Sequence, residues 1–361
     1  MILFNDFSIE TKALKEEIND AIQRVLNSGW FILGKELEVF ENNFAKYIGS
    51  RFCVGVASGT EAIALALMAH DIGENDEVIT TNLTAFPTIT GILQSGARPV
   101  VVDIISSNGL IDYQKIQAKI TKHTKAIVPV HLYGQSCNLD KINEIAVKNG
   151  LFVIEDCAQS TGATYKNEKC GAIGDCGAFS FYPTKNLGAY GDGGAVTTNS
   201  EEIYTKLIAL RNYGQTKRYC HDTKGINSRL DEMQAAILNV KLNFLDQWNN
   251  ERREIAQAYR KHLHSVECLK VEDYGNPVNH LFVVKSQYRD QLLEFLLKKG
   301  IQSFIHYPIP VYKQIAFEWQ KDEILENSDS FADTILSLPI YPGLLKQSID
   351  QIIQTVNEFQ P

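Results

Sequence analysis

Three places in the sequence combine residue types that can do chemistry. In SFYPTKNLGAYGDGG, residues 180–194, a single lysine, Lys185, stands between a proline and a glycine-rich run. A lysine taken out of water loses its proton more easily, and the neutral amine is a nucleophile. In FVIEDCAQS, residues 152–160, Glu155 and Asp156 follow directly on an apolar run. A carboxylate there can orient a base, pair with a cationic heterocycle, or simply cap a helix. In the third place, Ser58-Gly59-Thr60 leads from the β-prone FCVGVA into the Ala- and Leu-rich EAIALALMAH. Unpaired N–H groups and the positive helix end make such a junction an anion site, and glycine permits close approach. Serine and threonine are also ordinary helix caps.

Taken together, a phosphate site, a carboxylate and an amine are the parts that pyridoxal 5'-phosphate requires. The carboxylate keeps the ring nitrogen protonated. The lysine binds the aldehyde as an imine and, once displaced, moves a proton between substrate and cofactor. No histidine or further carboxylate stands at ligand spacing around Glu155 and Asp156, so no metal is expected there.

These residues need a scaffold. EVITT (77–81), RPVVVDI (98–104), AIVPVHL (126–132) and LFVIEDC (151–157) are short apolar strands, with helices predicted over 86–95 and 139–149 between them. Apolar strands alternating with helices predict an α/β fold with a mostly parallel sheet covered on both faces. Ligands then sit at the carboxyl ends of the strands, where Thr84-Ala85-Phe86, Asp156 to Gln159 and the Ser58 junction fall. GAFSFYP is expected to be a strand ending at Pro183. Before the sheet, 11–29 and 36–47 read as helices. After it, residues 229–265 form one long helical pattern without proline, and HLFVVKS, RDQLLEFLLKKG, IQSFIHYP and SIDQIIQTVNEF read as strand, helix, strand and helix. The expected division is a large cofactor-binding domain over 1–245 and a smaller α/β domain over 246–361.

The composition is that of an ordinary globular chain of 361 residues, 44% hydrophobic and 22% charged. A net charge of −8 without a Lys/Arg run argues against a nucleic-acid partner. The N-terminus lacks the apolar stretch of a signal peptide, and no run reaches membrane-spanning length, so a cytoplasmic location is expected. The seven cysteines are scattered and expected to be mostly buried, reduced thiols. SGTEAIA has no G-x-G-x-x-G, which disfavours a dinucleotide-dependent hydride-transfer enzyme.

The segments ASGTEAIALAL, EDCAQSTGA, SFYPTKNLGAYGDGGAV, RNYGQ and INSRLDEMQAAIL together resemble the DegT/DnrJ/StrS family of sugar aminotransferases, in order and spacing, from about residue 5 to the C-terminus. The resemblance implies an aspartate-aminotransferase-type fold and a homodimer with shared active sites. It also implies ping-pong transfer of an amino group from L-glutamate to a nucleotide-linked keto sugar, with pyridoxamine 5'-phosphate as the intermediate cofactor form. On matching positions, Lys185 is the cofactor-linked lysine and Asp156 pairs with the pyridine nitrogen. Gln159 lies near the ring hydroxyl, Gly59, Thr60 and Ser180 hold the phosphate, and Asn227 reaches it from the partner subunit. The family often has a ring-stacking aromatic directly after the threonine matched by Thr84. Here that position is Ala85, and stacking falls to Phe86 or is absent.

Tyr182 ahead of the lysine, Asp192 in the glycine run and FIHYPIPVYKQ near the C-terminus resemble the subgroup acting on 3-keto-6-deoxyhexoses. That resemblance implies a dTDP-linked 3-keto substrate, a sugar pocket lined by Tyr182, His306 and Tyr307, and a diphosphate met by Arg218. Each of the last three also has a plain reading, as core histidine, packing residue or solvated charge. Amination at carbon 4, a UDP- or GDP-sugar, and a non-catalytic regulatory relative remain as alternatives. The related dehydratase branch carries histidine where Lys185 stands.

Overall fold

The structure, a computed structural model, describes residues 1–321 and 323–361. Its centre is a seven-stranded sheet made of β1 (Phe52–Val56), β2 (Glu77–Thr81), β3 (Arg98–Val102), β4 (Thr124–Val128), β5 (Phe152–Asp156), β6 (Cys176–Ser180) and β7 (Gly194–Thr198). The spatial order is β1-β7-β6-β5-β4-β2-β3. Only β7 opposes the others, pairing antiparallel with β1 and β6. The carboxyl ends of β1, β2, β5 and β6 therefore share one edge with the start of β7.

Alternation along the strands explains why both faces are covered. Val78, Ala126, Val128 and Ile154 pack with the buried face of the Gly59–Ala69 helix, while Ile79, Ile127 and Val153 pack with the opposite layer. Beneath β6, Phe179 and Phe181 meet Phe44 edge-on at centroid distances of 5.0 and 5.3 Å. Such aromatic pairs add about 0.5–1.5 kcal/mol each beyond burial, and they anchor the strand that delivers Lys185.

Beyond the sheet, the Glu232–Leu242 helix packs against the Lys35–Ile48 and Lys15–Ser28 helices. A second, antiparallel sheet joins β8 (Glu267–Cys268), β9 (Phe282–Lys285) and β10 (Ile335–Leu338), backed by the Leu245–His262, Arg289–Lys298 and Lys346–Glu358 helices. The extreme N-terminus joins this unit, with Ile2 bridging to Ile301 and the Phe4 N–H donating to Gln302 at 3.1 Å.

Four expectations change. The strand before Lys185 ends at Ser180, not Pro183, because the chain turns at Tyr182 and the Lys185 N–H donates back to the Tyr182 carbonyl at 2.8 Å. The long helical pattern is two helices, 232–242 and 245–262, because the N–H groups of Asn243 and Phe244 close the first against Val240 and Lys241. IQSFIHYP forms only single bridges, Ile2 to Ile301 and Phe304 to Ser337, and is no continuous strand. The pattern over 11–29 is likewise divided, into Phe7–Ala13 and Lys15–Ser28. Among the described residues, no helix is long and apolar enough to cross a membrane.

Candidate active site

Two cavities open on the carboxyl edge of the sheet and share Tyr182 and Lys185. The first, of about 310 Å³, is bounded by Ser58, Gly59, Thr60, Asp156, Gln159 and Ser180 among others. The second, of about 480 Å³, is bounded by Asn5, Arg252, His280, His306 and Tyr307 among others.

The helix at Gly59 begins with Ser58 as its cap, the serine Oγ accepting the Glu61 N–H at 3.2 Å. The Gly59 and Thr60 N–H groups, in the first turn, face no intrahelical acceptor. The helix start lies directly on the sheet. A Cβ on Gly59 would come within 2.6 Å of the Ser180 Cβ, and one on Gly194 within 2.5 Å of the Ser58 carbonyl carbon. This cradle of backbone N–H groups has room only for glycine and suits a phosphate.

Asp156 ends β5 and is buried. Its Oδ1 accepts the Ala158 N–H at 3.0 Å, and its Oδ2 accepts the Thr88 hydroxyl at 2.8 Å. Thr88 is in turn 2.9 Å from the Thr84 hydroxyl. Burial pushes the Asp156 carboxyl up, against the lowering by Ala158, Thr88 and Lys185. A cation at this carboxylate would reverse that shift, which a protonated ring nitrogen does.

Lys185 projects from a loop held at several points. The next residue, Asn186, is buried and donates to the Asn249 side chain at 2.7 Å and the Val278 carbonyl at 3.2 Å. Its side-chain Oδ1 lies 3.0 Å from His280 Nδ1. Burial lowers the Lys185 amine to about 8, opposed by Asp156. The residue is partly exposed and lines both cavities. A nucleophile poised near neutrality follows.

Gln159 is fixed at both ends. Its Oε1 accepts the Tyr133 N–H at 2.6 Å, and its Nε2 donates to the Tyr307 hydroxyl at 3.0 Å. Tyr133 adopts a left-handed backbone, φ 60°, and its hydroxyl donates to the His306 carbonyl, so one residue ties both cavity walls together. His306 Nδ1 lies 2.9 Å from the Ser337 hydroxyl, and burial with the Lys185 charge lowers the ring to about 4. Burial raises the Tyr307 hydroxyl to about 12.

The remaining expected residues lie elsewhere. Phe86 packs with Ile89, Val101, Val311 and Phe317, and it is Ala85 and Pro87 that line the first cavity. Stacking by Phe86 does not match this placement, because the ring is taken up by that apolar cluster. Asn227 is exposed, paired by backbone to Asn212, and Arg218 is exposed over the Tyr219 ring at 5.1 Å. In a single chain neither lines either cavity.

Glu155 faces away from the cavities. Its oxygens accept from the backbone N–H groups of Gly171, Ile173 and Gly174 at 2.7–2.9 Å and from His131 Nε2 at 2.9 Å. The Cys137 N–H donates to His131 Nδ1 at 3.1 Å. With Cys157 these groups lie within ligand range of one another, but their donor atoms are committed to the protein and lock the end of β5.

Reading by motif missed Thr88, Tyr133, Asn186, Arg252 and His280. Only Thr88 had a signal in the sequence, its i,i+4 spacing from Thr84 across a helix start.

The chain matches the model of the DegT/DnrJ/EryC1/StrS aminotransferase family over residues 12–357. It is 47% identical over 362 residues to the dTDP-3-amino-3,6-dideoxy-alpha-D-galactopyranose transaminase of Aneurinibacillus thermoaerophilus, covering 99% of each chain. Its fold matches DesV of Streptomyces venezuelae, solved in complex with a ketimine intermediate, with a TM-score of 0.97 and 41% identity over 99% of this chain and 98% of that one. It also matches NtdA of Bacillus subtilis with bound pyridoxamine phosphate, at a TM-score of 0.88 and 31% identity over 94% and 80% of the two chains. With the phosphate cradle, the buried carboxylate and the lysine already in place for pyridoxal phosphate, the chain belongs to the DegT/DnrJ/EryC1/StrS aminotransferase family, whose members depend on that cofactor.

Proposed function

We propose that this aminotransferase moves an amino group from L-glutamate to a dTDP-linked 3-keto-6-deoxyhexose, giving a 3-amino-3,6-dideoxyhexose. The observation that carries the reading is the position of Lys185 at the junction of two cavities. One fits the cofactor, and the other, walled by Tyr182, His306 and Tyr307, has room for a sugar. The near full-length similarity to a 3-amino-sugar transaminase supports the regiochemistry.

Bound pyridoxal phosphate supplies a carbonyl that carries the amino group and a ring that draws electrons away from the reacting carbon. The chain's residues do the rest. The Gly59 and Thr60 N–H groups and the Ser180 hydroxyl would hold the phosphate. The Asp156 carboxylate, fixed by Thr88 and Ala158, would keep the proton on the ring nitrogen. Gln159, fixed by Tyr133, bounds the same cavity. Lys185 would hold the cofactor and, as a neutral amine, would be placed to move a proton at the substrate carbon. Its depressed pKa suits both tasks. His306, neutral near physiological pH, presents a ring without adding charge.

We place the active form as a cytoplasmic homodimer. A second copy offering Asn227 and Arg218 would account for their standing away from the cavities of their own chain, and exposed Trp30 and Phe31 give apolar surface for such contact. We propose a division into a large unit over 1–245 and a smaller one over 246–361, a boundary that falls at the start of the Leu245–His262 helix.

The test presents the pyridoxamine form with dTDP-linked 3-keto- and 4-keto-6-deoxyhexoses side by side. Faster conversion of the 3-keto sugar is expected, and faster conversion of the 4-keto sugar overturns the assignment.

A further inference from the structure

The second cavity contains a cation that the roles above do not use. Arg252, on the Leu245–His262 helix, is 4% exposed and forms part of the cavity wall. Its Nη1 donates to the Ile340 carbonyl at 2.6 Å, and its Nε has no hydrogen-bond partner among the described residues. No carboxylate lies within ion-pair distance of it among those residues, Glu10 and Glu251 acting on it only from farther off, whereas the equally buried Arg211 is paired directly with Glu41. A buried guanidinium with unused donors is costly unless an anion completes it.

The rest of the wall agrees. Besides Arg252 it offers the Lys185 amine, the Asn5 side chain and the His280 and His306 rings, and among the described residues none of those lining it carries a carboxylate. Burial and neighbouring positive charge keep both rings neutral, so they do not compete for an anion. Burial lowers the guanidinium only to about 10, so it keeps its charge at neutral pH. The planar fork of arginine matches a carboxylate in two parallel hydrogen bonds.

We propose that Arg252 binds a carboxylate group of the amino donor, in the same cavity and next to the lysine that serves the sugar half of the reaction. This rests on the aminotransferase reading with an amino-acid donor. It adds the group that would hold the donor, an anionic amino acid at Arg252, in the cavity where the sugar would lie against the aromatic wall. A charged donor is thereby held by a group that a neutral sugar ring does not need.

The test uses the cofactor-loaded protein and the unreactive dicarboxylate glutarate at constant ionic strength, followed by thermal shift and by perturbation of the cofactor absorbance. Wild type is expected to show saturable binding. Arg252→Met is expected to weaken it by about 10- to 100-fold, the range for loss of a charge-assisted hydrogen-bonded contact, with Arg252→Lys between the two. Unperturbed cofactor absorbance in both variants controls for folding, and if Arg252→Met misfolds, Arg252→Lys carries the comparison. Glutarate binding that is equal in wild type and the folded variants overturns the assignment, as does a wild type that takes up no carboxylate. Conversion of the keto sugar by the pyridoxamine form, measured without any donor, reports on the transaminase reading separately.

Discussion

The Gln159 amide donates to the Tyr307 hydroxyl at 3.0 Å across 148 positions of sequence, joining the wall of the cofactor cavity to the wall of the second cavity. The bond couples the two binding events, because shifting Tyr307 frees one end of Gln159. Tyr307→Phe removes one neutral hydrogen bond, worth about 1 kcal/mol. The expected result is a roughly 3- to 10-fold rise in KM for the keto sugar together with a smaller rise in the cofactor dissociation constant. Steady-state kinetics and cofactor titration check both, and an effect on neither would show that the bond is incidental.

Asp156 and Thr88 form the second relationship. Asp156→Asn keeps the shape of the side chain but loses the charge, so single-turnover transamination should fall on the order of 100-fold or more. Thr88→Val leaves the carboxylate in place but short of one donor, and a smaller loss of about 3- to 30-fold is expected. If Thr88→Val were as damaging as Asp156→Asn, Thr88 would be acting on the cofactor itself.

Gly59→Ala should act through space alone. The added Cβ would fall 2.6 Å from the Ser180 Cβ, forcing the helix start off the sheet. Cofactor affinity is expected to drop about tenfold or more as the N–H groups leave the phosphate position. Excess cofactor should restore much of the activity. A protein that retains normal affinity would remove this junction from the phosphate site.

The Lys185 amine, at about 8 in the fold against an ordinary 10.5, gives a pH signature in the cofactor-free protein. Below about pH 8 the amine is charged in both folded and unfolded chains, and the folded state bears the full cost of burying it. As pH rises from 8 toward 10.5, the unfolded chain binds more protons than the folded one, so stability rises and the cost disappears. Lys185→Met should therefore melt above wild type at pH 7, with the gap closing over that window. Imine formation between wild type and added cofactor should quicken as pH rises through 8, read by the growth of yellow colour.

Much of this site is legible in one dimension because its residues lie where apolar runs stop. Asp156 ends a strand, and Ser58-Gly59-Thr60 joins a strand to a helix, so each announces its place on the carboxyl edge by local pattern. Lys185 is marked by the proline and glycines around it, although the strand before it stops at Ser180, earlier than its apolar character indicates. Local pattern also fails at 229–265, where propensity reads one helix and the tertiary turn at Asn243 and Phe244 makes two.

The sequence by itself determined the α/β layering and the cofactor class and pointed to Lys185 and Asp156, with Gln159 added by the family resemblance, because these follow from periodicity and from motifs of contiguous residues. Only the tertiary structure decided that Phe86 packs against an apolar cluster, that Asn186 locks the lysine loop through Asn249 and His280, and that Arg252 stands in the same cavity as His306 without an ion-pair partner among the described residues. Those relations join residues up to a few hundred positions apart. Burial, which sets both the pKa of Lys185 and the cost of an unpaired guanidinium, is a property of the folded surroundings that no short stretch of sequence encodes.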